Sequence, residues 1–160
     1  MKWAAWGFVL LVLIAGYFYF SPSYSLSREA KREFAKGNFE VSYQLATQAL
    51  EADPYNRSAF GISSQSKQRI NIQNLLQKTK QNYEQALEIL KQGSLSPQEF
   101  LQLRWIVEEF DRDYHAVLML NNPNQEEEMQ LQQYQDWFLQ LQNRLEEAHE
   151  SIQKKQVQAK

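Results

Sequence analysis

Residues 3–20, WAAWGFVLLVLIAGYFYF, carry no acidic or basic side chain. Eighteen residues at 1.5 Å rise reach about 27 Å, close to the hydrocarbon thickness of a bilayer. Nine of them are Leu, Ile, Val or Phe, and at roughly −0.3 to −0.6 kcal/mol each they favour insertion by about 4 kcal/mol. Trp3 and Trp6 at one end, with Tyr17 and Tyr19 at the other, are placed as the two interfacial aromatic belts of a transmembrane helix. Lys2 and the small residues Ser23 and Ser25 would also suit a cleaved signal peptide, but the apolar run exceeds the usual length of one and ends in bulky aromatics. The expectation is therefore a retained single-pass anchor over residues 1–22, in an inner or plasma membrane. No small residues sit four apart in the run, so it lacks a helix-pairing face and reads as a tether.

Counting basic flanks literally puts the remainder in the cytoplasm, because Arg28, Lys31, Arg32 and Lys36 outnumber Lys2. Against this, residues 21–27 are uncharged, Glu29 and Glu33 alternate with the basic residues, and a short Lys-bearing start is usual for a signal anchor. We favour a domain outside the cytoplasm. It has about 140 residues, the size of one domain. Of the 17 basic residues all but Lys2 lie in it, giving 16 against 19 acidic and a net charge of −3. That balance argues against a nucleic-acid protein. With no cysteine, thiolate metal sites, thiol nucleophiles and disulfides are excluded.

After Ser21-Pro22-Ser23, two apolar helical stretches run from Leu26 to Ala52, divided at Gly37-Asn38, where Gly37 supplies the positive φ of a helix end. Pro54 stops the second. The residues Leu26, Ala30, Phe34, Gly37, Phe39, Ala46, Ala49 and Pro54, followed by Asn56, resemble the tetratricopeptide repeat, a helix-turn-helix unit. Ala30 and Ala49 are small where the helices approach, and Phe34 and Phe39 fill the gap. Ser42 departs from the usual Ala, and Leu26 from a frequent Trp. The resemblance covers residues 23–56 and implies a concave partner groove, whose matching positions are Ser27 and Lys31, with Gly61 and Gln65 in a degenerate second repeat. Members that clamp a C-terminal carboxylate carry Lys then Asn at the first two positions, so that ligand is not implied here.

In residues 57–95, Phe60 and Ser64 take the large and small positions of a second repeat, but no Gly makes its turn. Ile72, Leu76, Thr79, Tyr83, Ala86 and Leu90 recur three and four apart, so either a long helix or a degenerate repeat is present. A helix over 96–122 begins at the capping box Ser96-Pro97-Gln98-Glu99 with a stripe of Phe100, Leu103, Val107, Phe110, Tyr114 and Val117. Asn124 caps a last helix over 123–156, with Glu126, Glu127 and Glu128 in its first turn. Leu131, Tyr134, Phe138, Leu141, Leu145, Ala148 and Ile152 make it a heptad stripe, either core or a coiled-coil surface for another chain. Beyond Ile152 the tail is expected to fray, over 157–160 in particular.

The expected class is all-α: a transmembrane helix, a repeat-like helical hairpin and long amphipathic helices. His115 beside Asp113 is the one candidate base or ligand, but reads better as a solvated histidine. Glu108, Glu109, Asp111 and Asp113 likewise read as a solvated face rather than a cation site. Trp105 and Trp137 lie off their helices' main stripes, as core wideners or interface anchors. No catalytic, cofactor or metal residues are assigned. The function expected is a scaffold or adaptor for protein partners, an accessory of a bacterial-type envelope assembly of the secretion, division or flagellar-motor kind. The alternative is a metal-dependent sensor or enzyme centred on His115 and its neighbouring carboxylates.

Overall fold

The computed structural model describes residues 6, 9–12, 16, 21–91 and 95–158, with backbone alone at 148 and 150–158. Every regular element among them is helical: α1 (Pro22–Ala35), α2 (Phe39–Ala52), α3 (Arg57–Leu90), α4 (Pro97–Leu120) and α5 (Gln125–Gln158). Most of the expected anchor, including Trp3, Tyr17 and Tyr19, lies outside the described residues. Among the described residues no helix is long and apolar enough to cross a membrane. The chain forms two compact units, residues 1–70 and 71–160, and α3 contributes to both.

The first unit is held by small residues. α1 begins at Pro22 rather than Leu26, because Pro at the first helical position needs no N–H and has its φ already set. Its end is a Schellman motif: the Asn38 N–H donates to Glu33 O, the Gly37 N–H donates to Phe34 O, and Gly37 has φ +82°. A Cβ on Gly37 would meet nothing within 4 Å, so the penalty for replacing it is backbone strain alone. Gly37→Ala is expected to lower unfolding free energy by about 1 kcal/mol and Gly37→Val by about 2, measured by urea denaturation.

At the seam between α1 and α2, Phe34 and Phe39 meet edge to face, their centroids 5.2 Å apart. Deeper, Ala30, Ala46, Ala49 and Ala59 are fully buried, and no larger apolar side chain is buried in this unit among the described residues. Small side chains let the backbones approach closely, and hydroxyls fill the remaining polar demand. Ser42 Oγ donates to Ala30 O (2.8 Å) and accepts from Ser66 Oγ (2.9 Å), while Ser23 Oγ donates to Ala49 O (2.7 Å). Asn56 closes the unit: its Oδ1 caps α3 through the Ala59 N–H, and its Nδ2 donates to Ser23 Oγ.

Ser27, expected on an exposed groove, is instead 2% exposed and donates to Tyr24 O, because it sits one turn below Ala30 on the face that meets α2. On α3 the inward residues are Ala59 and Ser66, while Phe60 is 67% exposed and Ser64 lies at the surface. One residue of shift turns a helical side chain by about 100°.

In the second unit α3, α4 and α5 pack in register. Asn71, Lys78 and Asn82 of α3 meet Asn121, Asp113 and Glu109 of α4, and Tyr114, Phe110 and Phe100 of α4 meet Gln135, Phe138 and His149 of α5. Each step up one helix is a step down the next, so neighbours are antiparallel. Ile72, Leu75, Leu103, Ile106, Phe110, Leu131, Phe138 and Leu141 lead the core. α3 is one unbroken helix, and its buried positions in this unit are Ile72, Leu75, Thr79, Ala86 and Ile89, while Leu90 turns outward. These are a and d positions of a heptad, and Leu76, Tyr83 and Leu90 of the expected stripe take the e positions beside it, where Leu76 and Tyr83 pack partly buried against the core. Leu131, Phe138, Leu141 and Leu145 of the α5 heptad are buried in this same core, which answers the choice between core and foreign coiled coil for these four. Helix α5 continues to Gln158, through most of the tail expected to fray.

Candidate functional site

A four-residue connection, 121–124, and the caps at the two helix starts fix how α4 and α5 face one another. Ser96 accepts from the Glu99 N–H and Glu99 accepts from the Ser96 N–H, a complete capping box at the start of α4. The Ser96 hydrogen bonds hold the Glu99 carboxyl below its usual value. Asn124 and Glu127 repeat the arrangement at the start of α5. Across the pair, the Tyr114 hydroxyl donates to Gln135 Oε1 at 2.9 Å, and burial, with the charges of Glu128 and Asp136, pushes its pKa up.

Between α4 and α5 the surface opens into a groove of about 420 Å³. Its floor is apolar, made by Phe100, Val107 and Leu145; its rim is charged, made by Arg104, Glu108, Asp111 and Glu146, with Gln142 and His149. The His149 ring stacks on Phe100 at 5.8 Å and closes one end. Arg104 Nε donates to Glu108 at 2.8 Å, and Gln142 donates to Glu146 at 3.1 Å. On the adjoining outward face of α4, Leu101 and Trp105 are four residues apart and both exposed, Trp105 at 57%.

The other edge of α4 carries an ion network. Lys78 of α3 reaches Glu109 at 2.9 Å and Asp113 at 2.7 Å, Asn82 donates to the second Glu109 oxygen, and Arg112 Nε contacts Asp113 at 3.2 Å. Glu109 is only 9% exposed, which corrects its assignment to a solvated face: it lies at the α3 seam, where a charged partner is required. Lys78 was not signalled in the sequence, because its partners are 31 and 35 residues away. Burial raises the Asp113 pKa, but the hydrogen bond and charge of Lys78, with Arg112, outweigh it and hold the carboxyl below its usual value. Hydrogen bonds to Asp113 and Glu109 raise the Lys78 pKa.

The signs of these shifts set a pH dependence. The Asp113 contribution is fully present above the ordinary value of 3.8 and is lost as pH falls through the lowered one. The Lys78 contribution is fully present below 10.5 and is lost as pH rises through its raised value. Lys78→Met is expected to cost about 1–3 kcal/mol, because Glu109 loses a partner in a seam where Lys78 itself is half exposed and screened, a deficit that stays flat between these limits and shrinks in acid. Urea titrations from pH 2 to 9 check it; a deficit that grows in acid would contradict the pairing.

The remaining candidates are scattered. His115 Nε2 lies 3.3 Å from Asp111, both side chains exposed, and among the described residues no three metal-ligating groups cluster. Lys31 and Gln65 are exposed and Gly61 half-buried, in the first unit. Trp137 does not stand outward: it packs on Tyr83 (4.3 Å) and Phe138 (4.9 Å), as a side wall of the core. Tyr83 at a position flanking the α3 heptad supplies the surface that covers it. Of the proposed partner-surface residues in the second unit only Trp105 stays at the surface. The groove itself escaped sequence reasoning, since its floor residues belong to the core stripes of two helices. No family model, curated protein or solved structure matches this chain.

Proposed function

We propose that this chain is a membrane-tethered scaffold that docks a protein partner, an accessory of a bacterial-type envelope assembly, with residues 3–20 as its anchor and its helical units outside the cytoplasm. The observation that carries this reading is the α4/α5 groove with Leu101 and Trp105 exposed beside it. An exposed aromatic next to an apolar-floored groove is the composition of a protein-binding hot spot. The tether is supported by Val9, Leu10, Leu11 and Val12, which are all exposed although they are successive and so point around the whole helix. The first unit adds a repeat-like hairpin of the tetratricopeptide kind, consistent with Gly37 at positive φ and Ala30, Ala46 and Ala49 at the closest approach.

Affinity capture of the crosslinked full chain from native membranes tests it. A protein recovered with the wild type and lost with Trp105→Ala is the expected result; Trp105→Ala itself is expected to change stability by less than about 0.5 kcal/mol. Recovery of no protein, or full release of the chain by alkaline carbonate, would overturn the reading.

A further inference from the structure

The groove between α4 and α5 has a charge as well as a shape. Its rim carries Glu108, Asp111 and Glu146 against Arg104, and Arg104 is already hydrogen-bonded to Glu108. The unit around it is acidic: residues 71–160 hold nine Lys and Arg against 14 Asp and Glu, a difference of −5, whereas residues 21–70 hold seven against five, a difference of +2. The apolar floor runs from Phe100 to Val107 along α4, about 10.5 Å, or two helical turns. A floor of that length accommodates side chains at i, i+3 or i+4, and i+7 of one amphipathic helix, and acidic walls select basic residues at its flanks.

We infer that the occupant of this groove is a short basic amphipathic helix of a partner protein, its apolar stripe on Phe100 and the edges of Val107 and Leu145 that the groove leaves open, and its Lys or Arg side chains against Asp111 and Glu146. This deepens the scaffold reading and rests on it for the partner being a protein. An apolar ligand of small size would draw nothing from the exposed charge of Asp111 and Glu146, and an acidic helix would be repelled by it. The helices α4 and α5 already pair with each other, so the partner helix joins them as an added strand of the bundle, opposite α3.

The probe is a fluorescein-labelled helical peptide of about 14 residues, ~21 Å long, with leucine at i, i+3, i+4 and i+7 and lysine elsewhere. Its counterpart has glutamate in place of lysine. Binding is read by anisotropy to the full chain in zwitterionic nanodiscs, with empty nanodiscs subtracted. The lysine peptide is expected to bind, more weakly as salt rises, and the glutamate peptide at least about 10-fold more weakly. The double variant Asp111→Lys with Glu146→Lys, both at exposed positions, is expected to reverse that preference while leaving the melting curve in place. Equal binding of the two peptides, an unchanged preference in the double variant, or self-association of the chain that blocks the peptide and vanishes in the variant, would each overturn the inference. A partner captured through Trp105 together with a peptide that fails to bind would refute the basic-helix occupant alone. A peptide that binds while native membranes yield no protein would instead refute the scaffold.

Discussion

Phe138→Ala is expected to remove about 3–5 kcal/mol from the second unit and to leave the first unit intact. Phe138 is almost completely buried, stacks on Phe110 at 4.4 Å and meets Trp137 edge to face at 4.9 Å. Truncating it removes the transfer free energy of a whole ring and leaves a void that heptad packing on three helices cannot collapse into. Against a domain stability of 5–15 kcal/mol, that loss is a large fraction. The two units have separate interiors, one of alanine and serine, the other of large apolar side chains. Amide exchange is therefore expected to accelerate across α4 and α5 while Ala46 and Ala49 of α2 keep their protection. Uniform loss of protection along the chain would show that the units unfold as one.

Ser42→Leu is expected to do comparable damage to the first unit, about 3–5 kcal/mol, by the opposite means. No exposed edge relieves an added side chain at Ser42, whose relative exposure is 0%, so the larger group forces α1 and α2 apart. It also removes the acceptor of the Ser66 hydroxyl and the donor to Ala30 O, leaving buried polar groups unmatched. Ser42→Ala separates the two effects: it keeps the close approach and loses only the hydrogen bonds, so about 1–2 kcal/mol is expected. Denaturation of both variants, followed by circular dichroism, checks the order. A leucine variant as stable as the alanine one would mean that the helices are not closely packed at this position.

These two residues also show what the sequence could and could not disclose. The Phe138 position is legible because a heptad over three repeats places Leu131, Phe138 and Leu145 on one line, and that line is buried. The Gly37 turn, the Ser96 box and the Asn124 cap are legible for the same reason, since each is a local rule satisfied within a few residues. Ser42 is different. Against the repeat pattern it stands out only as a serine where alanine is usual, and its purpose depends on Ser66, 24 residues later. Glu109 fails in the same way: four acidic residues close together read as a solvated face, and only the α3 seam reveals that one of them is gripped by Lys78 and Asn82. The groove is legible in neither helix alone, because Val107 and Leu145 are core residues whose edges, with Phe100, line an opening only where the two stripes lie side by side.

One measurement bears most directly on the docking role. A photoreactive amino acid in place of Gln142, in the groove, and in a control chain in place of Lys80, exposed on α3, is irradiated in native membranes with the full-length protein. Crosslinking of a distinct protein band at position 142 and none at position 80 is the predicted result. No crosslink at position 142, or the same pattern from both positions, would contradict a partner seated between α4 and α5.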